Sequence, residues 1–563
     1  MSAVAVEQTP TTADHIDRAL SELTAAKGKL GALTLAERIA LLEDCLERCY
    51  QLSREWVDAA CDAKGLAAGN PLRAEEIAAG PVATARHLQL LIHNFKSLSA
   101  TGHIKLPGKI EEASDGSLGV QVMPVAGLFD PLVFAGFKAR AWLSPEIKRA
   151  DLEKLGSHLL KPGTARCVLV LGAGNVSSIP ATDTISKVFQ ETSVVLLKMN
   201  PVNEYLGPIF ARLFSRLIDS GWVRIIYGGP AVGAAAVEHP QVDEVHITGS
   251  IYSHDAITWG PAGPDRERRK RENDPLLKKP ITSELGNVSP WLVVPGNYTP
   301  AQLKFQAESV AASITNNASF NCVATKMIVT SKKWPQRKEF LDLVEAVLAK
   351  VPPRKAYYPG ARDRFARFSG QQPPPGDALP WTLLRDADIG RAPYLTCEES
   401  FVCVCAEVGL DTADEHEFLA RAVEFANFKL WGTLSAALTV PPALARDARS
   451  AASLEKAIVD LRYGAVGINH WPALVYAMMS PPWGGFPIGT LADAQSGIGS
   501  VHNTFMLEGV QKTVLEGPIT VSPKPFWFPT HRRPEPLAWK VLELYHKPSV
   551  WKLPGLMLAA LGG

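Results

Sequence analysis

Continuous apolar runs alternate with helical patterns in the middle of this chain, and this alternation restricts the possible folds more than any other feature. Residues 167–171, 193–197, 223–227 and 245–248 form nearly unbroken apolar runs, separated by helical segments such as 208–218. Strands buried on both faces have such runs, and a helix between successive strands makes those strands parallel. The sequence therefore predicts an α/β fold with a largely parallel sheet.

A second region of alternating pattern follows, between about residues 289 and 475. Segments 327–330 and 401–408 are predicted to be strands, and segments 337–350 and 415–427 are predicted to be helices. A further strand is expected at 513–521. Near the start, Thr34 and Glu37 have the spacing of a capping box that opens a helix. The charged block 265–274 is expected to be a solvated loop.

Composition excludes several classes of protein. The 563 residues are 46% hydrophobic and 20% charged, with a formal net charge of +1, so a large core is expected and no global field favours nucleic acid. The eight cysteines show neither zinc-site spacing nor a disulfide framework. Residues 1–10 carry no targeting signal, and no apolar run is long enough to span a bilayer. We expect a soluble cytoplasmic protein without a metal site.

Four short segments carry residues suited to catalysis or to cofactor binding. Asn175 ends Gly172-Ala173-Gly174-Asn175, where its side-chain amide could face an oxyanion or simply support a turn. Lys198 follows a strand, where it suits a ribose or phosphate, although lysines there are also common surface residues. Gly249 and Ser250 follow another strand, where helix N-terminal amides bind phosphate.

The fourth segment pairs a carboxylate with a thiol. Glu284 lies in Ser283-Glu284-Leu285-Gly286, and Asn321-Cys322 follows further along the chain. A cysteine with a lowered pKa is a strong nucleophile, and a carboxylate within reach can activate water. Either residue alone would be structural in most proteins, so the whole cluster carries the hypothesis.

In this order the segments resemble the aldehyde dehydrogenase superfamily, over roughly residues 30–525. Further matches are Glu398-Glu399-Ser400-Phe401, Gly467-Ile468-Asn469, Pro482-Trp483-Gly484-Gly485 and Ser496-Gly497-Ile498-Gly499. The resemblance implies a Rossmann-type nucleotide-binding domain, an α/β catalytic domain and a small bridging β element. It assigns residues 1–288 to the N-terminal helices and the dinucleotide-binding domain, with a bridging insertion at about 104–165. Residues 289–480 form the catalytic domain, 481–525 return to the cofactor domain and supply an oligomerisation strand, and 526–563 are a C-terminal extension.

The same resemblance implies a mechanism. Cys322 attacks a small-molecule aldehyde, Asn175 and the Cys322 backbone N–H stabilise the oxyanion, and hydride transfer to the nicotinamide leaves a thioester. Glu284 then activates the water that releases the carboxylic acid. Glu399 is expected to hold the nicotinamide ribose, with Phe401 beside it; Lys198, Gly249 and Ser250 complete the cofactor site.

Several positions depart from the usual family pattern. Ala173-Gly174 and Ser319-Phe320 replace the usual neighbours of Asn175 and Cys322. Pro201 stands where many NAD-preferring members carry a glutamate, so a 2′-phosphate is tolerable there, while Glu204 could substitute for the missing carboxylate. NAD or NADP is therefore expected as the cofactor, with a slight preference for NADP.

Two alternatives and two surfaces stay open at this point. Coenzyme A could replace water as the acyl acceptor, or the protein could act in reverse as an acyl-CoA reductase. The presence of Glu284 favours water, because a thiol acceptor needs no hydrolytic base. A catalytically silent scaffold is the other alternative, and Cys322 would then be no more reactive than buried cysteines. A homodimer or homotetramer is expected through 513–521. The tail 524–563 either packs on its own subunit or a neighbour, or forms an apolar lid or a peripheral membrane contact.

Overall fold

Two large β-sheets organise the chain. The structure is a computed structural model that describes residues 8–113 and 116–562. Residues 1–7, part of the segment inspected for a targeting signal, lie outside the described residues. Among those described, no helix is long and apolar enough to cross a membrane.

The strands are β1 (Ile110–Glu112), β2 (Leu118–Met123), β3 (Lys138–Leu143), β4 (Arg166–Leu171), β5 (Ser193–Lys198), β6 (Val223–Ile226), β7 (Glu244–Thr248), β8 (Ile281–Glu284), β9 (Pro290–Val293), β10 (Met327–Ser331), β11 (Arg354–Lys355), β12 (Ala378–Leu379), β13 (Thr382–Leu384), β14 (Val404–Leu410), β15 (Ser435–Thr439), β16 (Ala465–Ile468), β17 (Gly497–Ile498) and β18 (Val510–Glu516).

The α-helices are α1 (Ala13–Gly31), α2 (Leu35–Ala63), α3 (Arg73–Ile77), α4 (Ala83–Thr101), α5 (Asp130–Val133), α6 (Arg149–Leu152), α7 (Ile179–Ile185), α8 (Gly207–Leu213), α9 (Ser215–Asp219), α10 (Pro230–Glu238), α11 (Ile251–Trp259), α12 (Pro264–Glu272), α13 (Pro300–Thr315), α14 (Arg337–Leu348), α15 (Ala361–Ser369), α16 (Tyr394–Cys397), α17 (Glu415–Lys429), α18 (Ala448–Asp460), α19 (Ala473–Ala477), α20 (Pro534–His546) and α21 (Leu553–Ala560).

The smaller of the two sheets has the strand order β17-β8-β7-β4-β5-β6. Strands β8, β7, β4, β5 and β6 are mutually parallel, and β17 closes one edge antiparallel to β8. Chain order runs from β4 through β5 to β6 on one side and then returns to β7 and β8 on the other. The switch of direction between β4 and β7 opens a crevice at their carboxyl ends, the usual ligand position in such sheets. The expected α/β fold with a Rossmann-type sheet is confirmed.

The larger sheet has the strand order β1-β2-β3-β18-β16-β15-β9-β10-β14-β13. Its strands from β18 to β13 are parallel, whereas β1, β2 and β3 form an antiparallel meander attached to β18. Both edges of β18 are therefore paired within its own chain. The strand that we expected to offer to a neighbouring subunit has no free edge, because the meander covers one side and β16 the other.

Three local predictions were wrong. Segment 265–274 is not a loop: α12 spans most of it, with Pro264 in its first turn and an Arg268–Glu272 ion pair of 2.7 Å across one turn. The strand expected from Phe401 begins only at Val404, because Phe401 has a left-handed φ of 42°.

The third correction concerns the helix expected over 208–218. It breaks at Phe214, which separates α8 from α9. The ring of Phe214 is fully buried, so packing in the core overrides the helical pattern of the sequence there.

Candidate active site

The crevice at the β4–β7 switch point brings together the segments that the sequence singled out. Asn175 follows β4, and Gly249 and Ser250 follow β7. Glu284 is the last residue of β8 and Lys198 is the last residue of β5. Because β8, β7, β4 and β5 are neighbours and parallel, all of these residues lie at one edge of the sheet.

Lys198 and the β7–α11 turn supply groups for an anionic ligand. Lys198 is 8% exposed, and no hydrogen bond to its ammonium occurs within the described part of the chain. Burial lowers the pKa of Lys198, and the nearby carboxylate of Glu204 opposes that shift. Gly249 and Ser250 are exposed, and the Ser250 hydroxyl caps α11 by accepting from the Ser253 N–H at 3.2 Å. The turn therefore presents backbone to the crevice.

Glu284 is held rigidly at the end of β8. Its backbone pairs with Thr248 on one side and with Gly497 on the other. Gly497 has a φ of 119°, and a Cβ there would lie 2.0 Å from the Ser283 carbonyl, so only glycine allows this close approach. The carboxyl of Glu284 is 4% exposed, and its Oε1 has no hydrogen-bond partner among the described residues. An unpaired buried acceptor beside a crevice is suited to receive a proton.

The electrostatic surroundings of Glu284 make it a stronger base than an ordinary carboxylate. The pKa of Glu284 is raised to about 8. Burial is the largest cause and the negative charge of Asp183 adds to it, while contacts with the Cys322 thiol and Trp483 oppose the rise. These contacts also place the carboxyl next to the thiol. Glu284 is thus neutral at low pH and becomes a base near pH 8.

Cys322 lies on the loop between α13 and β10, which has an unusual backbone. Asn317, Ala318 and Ser319 have consecutive φ values of 52°, 55° and 68°. Left-handed backbone at residues other than glycine costs about 1–3 kcal/mol each, so tertiary contacts must hold this loop in place. Among those contacts, the Ser289 hydroxyl donates to the Cys322 carbonyl at 3.1 Å. The Trp471 indole donates to the next carbonyl, that of Val323, at 2.7 Å.

The thiol of Cys322 is partly exposed, unlike the buried Cys45, Cys49 and Cys167. Burial of its surroundings raises the pKa of Cys322 well above the ordinary value, and the charges of Glu284 and Glu399 raise it further. From the sequence, a reactive cysteine is described as one with a lowered pKa, whereas in the free protein the pKa of Cys322 is raised. The thiol is protonated at neutral pH, and a neighbouring base must accept its proton before it can attack.

Asn175 is tied directly to the nucleophile loop. Its Nδ2 donates to the Phe320 carbonyl at 3.1 Å, which occupies one of its two amide hydrogens. The second amide hydrogen has no described acceptor. The Asn175 amide is thus held by the carbonyl of Phe320, two residues before Cys322, and keeps one N–H free. This is the arrangement needed to stabilise an oxyanion.

A buried hydrogen-bond network of Lys64, Asn317 and Tyr357, which we call the clamp, holds the backbone of Asn175 and was not predicted from the sequence. The Lys64 ammonium donates to the Asn175 carbonyl at 3.0 Å, to Asn317 Oδ1 at 2.9 Å and to Glu76 Oε1 at 2.7 Å. The Tyr357 hydroxyl lies within hydrogen-bond distance of the Asn175 carbonyl, at 3.1 Å, and of Asn317 Oδ1, at 2.9 Å, and donates its one hydrogen between them. Lys64 caps the C-terminal end of α2 and lies far from the site in sequence, so no motif pointed to it.

Glu399 lies on the opposite side of the Glu-Leu-Gly segment. A Cβ on Gly286 would lie 2.0 Å from Glu399 Oε2, which explains why glycine stands there. Burial raises the pKa of Glu399, and the ammonium of Lys326 opposes the rise. Lys326 also donates to the Ser319 hydroxyl at 2.9 Å and to the Val402 carbonyl at 2.8 Å, so it joins the nucleophile loop to the Glu399 segment.

The aromatic residue at position 401 closes this side of the site. The ring of Phe401 packs at a tilt against Phe320 and edge-to-face against Tyr358, with centroids 6.0 Å and 5.0 Å away. Phe320 immediately precedes Asn321-Cys322, so an apolar wall stands beside the nucleophile. Trp483, which belongs to a predicted closing motif, contacts Glu284. The motif was visible in the sequence, but this contact was not.

The crevice presents several groups that suit a dinucleotide. Among the described residues, Glu399 Oε1 is buried without a hydrogen-bond partner and Lys198 has no ion pair, and the exposed Gly249-Ser250 turn can approach phosphate closely. No cluster of three or more His, Cys, Asp or Glu side chains in the described ranges has the geometry of a metal site.

Comparison with known proteins agrees with this geometry. Residues 175–356 match the model of the aldehyde dehydrogenase family. That range begins at Asn175 and includes Lys198, Glu284 and Cys322, but it ends before Glu399. A comparison with curated protein sequences finds no match.

Solved structures resemble nearly the whole chain. An indole-3-acetaldehyde dehydrogenase in complex with NAD⁺ is 16% identical, with a TM-score of 0.60 over 90% of this chain and 89% of the other. An NAD-dependent aldehyde dehydrogenase from Sinorhizobium meliloti is 16% identical, with a TM-score of 0.59 over 92% and 88%. An NADP-dependent glyceraldehyde-3-phosphate dehydrogenase from Bacillus halodurans C-125, complexed with NADP, is 14% identical, with a TM-score of 0.57 over 90% and 91%. At these identities the likeness concerns the fold.

Proposed function

Because this chain belongs to the aldehyde dehydrogenase superfamily, we propose that it oxidises an aldehyde to a carboxylic acid with NAD or NADP. One observation carries the proposal: the carboxyl of Glu284 lies beside the Cys322 thiol in a buried site that also holds the Asn175 amide. The three groups match the needs of acyl transfer, namely a nucleophile, a base and an oxyanion donor.

The first step is addition of sulfur to the aldehyde carbon. Glu284 accepts the proton of the Cys322 thiol while the C–S bond forms, because the thiol does not ionise alone. The carbonyl oxygen becomes an oxyanion, which the free N–H of Asn175 and the backbone N–H of Cys322 stabilise. Removing one such donor from comparable sites costs about 10²–10³ in rate.

The second step is oxidation. A bound dinucleotide supplies the hydride acceptor. Lys198, Gly249 and Ser250 are the residues that would hold its adenosine and phosphates, and Glu399 would orient the nicotinamide ribose. As the thiohemiacetal loses its hydride, the oxyanion collapses to the thioester carbonyl on Cys322.

The last step is hydrolysis. Once Glu284 has released the first proton, it takes a proton from a water molecule that attacks the thioester carbon. The C–S bond breaks, the carboxylic acid leaves, and the thiolate of Cys322 recovers a proton. The carboxyl of Glu284 contacts the Cys322 thiol, so it could deprotonate a water molecule beside the thioester. This supports water as the acyl acceptor, because the thiol of coenzyme A needs no such base.

The direct test is an assay of the purified protein with aliphatic and aromatic aldehydes. We expect absorbance of the reduced dinucleotide to rise with NAD or NADP and without coenzyme A. Turnover that requires coenzyme A would assign the chain to the acylating branch. If no aldehyde is oxidised and Cys322 alkylates no faster than the buried Cys49, the silent scaffold is the correct reading.

The choice between NAD and NADP is proposed to depend on Glu204. Pro201 offers no carboxylate to the adenosine ribose, so the wild type should accept NADP, while Glu204 lies close enough to act on the pKa of Lys198. Removal of that charge should favour a 2′-phosphate. We expect Glu204→Gln to raise the NADP-to-NAD ratio of kcat/KM by about tenfold, about 1.4 kcal/mol.

Glu191→Gln serves as the matched control for Glu204→Gln. Glu191 is a partly buried glutamate paired with Lys187 at 2.9 Å, before β5 rather than after it. Its substitution should leave the cofactor ratio unchanged. An unchanged ratio in Glu204→Gln as well would show that this carboxylate does not face the ribose.

A further inference from the structure

The C-terminal segment exposes a concentrated apolar surface that catalysis does not use. Among the described residues, five of the twelve exposed large apolar side chains fall in its last helical turns. They form what we call the C-terminal apolar patch: Val550, Trp551, Met557, Leu558 and Leu561, which are 56%, 88%, 67%, 72% and 73% exposed. Concentrations of this kind on a surface mark contact sites.

The patch is presented by a segment that is firmly attached to the body of the protein. The hydroxyl of Tyr545 accepts from Arg86 at 2.9 Å, and His546 contacts Glu47 at 2.8 Å. The guanidinium of Arg54 lies 3.6 Å from the ring of Trp539. Because α20 is fixed in this way, the patch on the following α21 has a defined orientation.

Basic side chains stand at both ends of the patch. Lys547 is exposed at the start, where it pairs with Glu47 at 3.3 Å, and Arg533 lies against Gly562 at the end. Arg532 and Arg533 are exposed and have no ion pair within the described part of the chain. The acidic residues of the tail are already engaged, since Glu543 pairs with Lys540 at 2.7 Å and Glu535 contacts Trp539 at 3.2 Å. Among the described residues, Arg532 and Arg533 therefore supply unpaired positive charge beside the patch.

We propose that the C-terminal apolar patch docks this protein on the surface of an anionic lipid bilayer. An exposed tryptophan among aliphatic side chains, flanked by lysine and arginine, is the combination that inserts at the headgroup level while its cations bind lipid phosphates. With eight residues, α21 lies on the bilayer rather than across it.

A second copy of the chain fits the patch less well. In a two-fold contact the same surface meets itself, so Arg532 and Arg533 of one copy would approach their own counterparts. Unpaired like charges around an apolar centre oppose such a contact. Anionic headgroups neutralise them instead.

The test is flotation of the full-length protein with vesicles of phosphatidylcholine alone or of phosphatidylcholine and phosphatidylglycerol in equal parts. We expect binding to the anionic vesicles, weakened by high salt, and little binding to the neutral ones. Replacing Trp551, Met557 and Leu558 by serine should lower the partition constant by about tenfold or more. Arg532→Gln and Arg533→Gln should each lower it about fivefold.

A matched control removes equally exposed apolar side chains elsewhere. Leu132, Leu276 and Phe428 are 65%, 50% and 64% exposed elsewhere in the chain, and their replacement by serine should leave vesicle binding unchanged. Equal loss in both triple variants, or no binding of the wild type to anionic vesicles, would overturn the proposal. So would a fall in the molecular mass of the tail variant in solution, because the patch would then bind a second copy. None of these readouts depends on aldehyde turnover.

Discussion

Replacing Cys322 by alanine is expected to abolish aldehyde-dependent reduction of the dinucleotide, by about 10⁴-fold or more. The reason is that every proposed bond to the substrate passes through this sulfur, and removal of a nucleophile from a covalent mechanism leaves only binding and oxyanion stabilisation. The measurement is kcat/KM with the best aldehyde of the panel, together with binding of the dinucleotide by fluorescence. Binding should change by less than about twofold, since the thiol is not among the proposed cofactor ligands.

The matched control for this experiment is Cys397→Ala. Cys397 is exposed, so both thiols are open to alkylating reagents and to oxidation. The control variant should keep full activity, and in its background a single thiol should alkylate quickly. Residual turnover in Cys322→Ala above about a hundredth of the wild-type rate would contradict the assignment of the nucleophile.

Replacing Glu284 by glutamine is expected to stop the cycle after one oxidation. The variant should form about one equivalent of reduced dinucleotide slowly and then turn over about 10²–10⁴ times more slowly than the wild type, because no base activates water. Intact-protein mass spectrometry should find the acyl group on Cys322. If steady turnover continues at the wild-type rate, another group is the base.

The pH profile belongs to the same prediction. Glu284 acts as a base only when it is deprotonated, and burial raises its pKa to about 8. Activity of the wild type should therefore rise with pH, reach half its limit near pH 8 and level off above it. Glu284→Gln should lose this acid limb.

Glu398→Gln is the control carboxylate. Glu398 pairs with Arg367 at 2.5 Å and lies next to Glu399 in the chain, but it has no contact with Cys322. We expect Glu398→Gln to keep both the acid limb and the turnover.

Restoration of turnover in Glu284→Gln by coenzyme A would show that a thiol can take the acyl group when water cannot.

Local patterns of the sequence were sufficient for the strands of the smaller sheet and for the order of the site residues. The apolar runs became β4, β5, β6 and β7 within one residue at each end. The capping box of Thr34 and Glu37 is present at the start of α2. Such features depend on residues a few positions apart, so a single sequence contains them. The positions of Asn175, Glu284 and Cys322 could be proposed in the same way, because each stands beside a strand end or a short motif.

The tertiary structure alone decided how these residues behave. The clamp of Lys64, Asn317 and Tyr357 joins α2 to two distant loops, and only the folded chain brings them within hydrogen-bond distance. The meander around β18 is equally nonlocal. Proton affinities depend on burial and on charges from other elements, so the raised pKa values of Cys322 and Glu284 could not follow from a motif. The sequence determined which chemical groups are available at this site, and long-range contacts determined that Cys322 stays protonated until Glu284 can accept its proton.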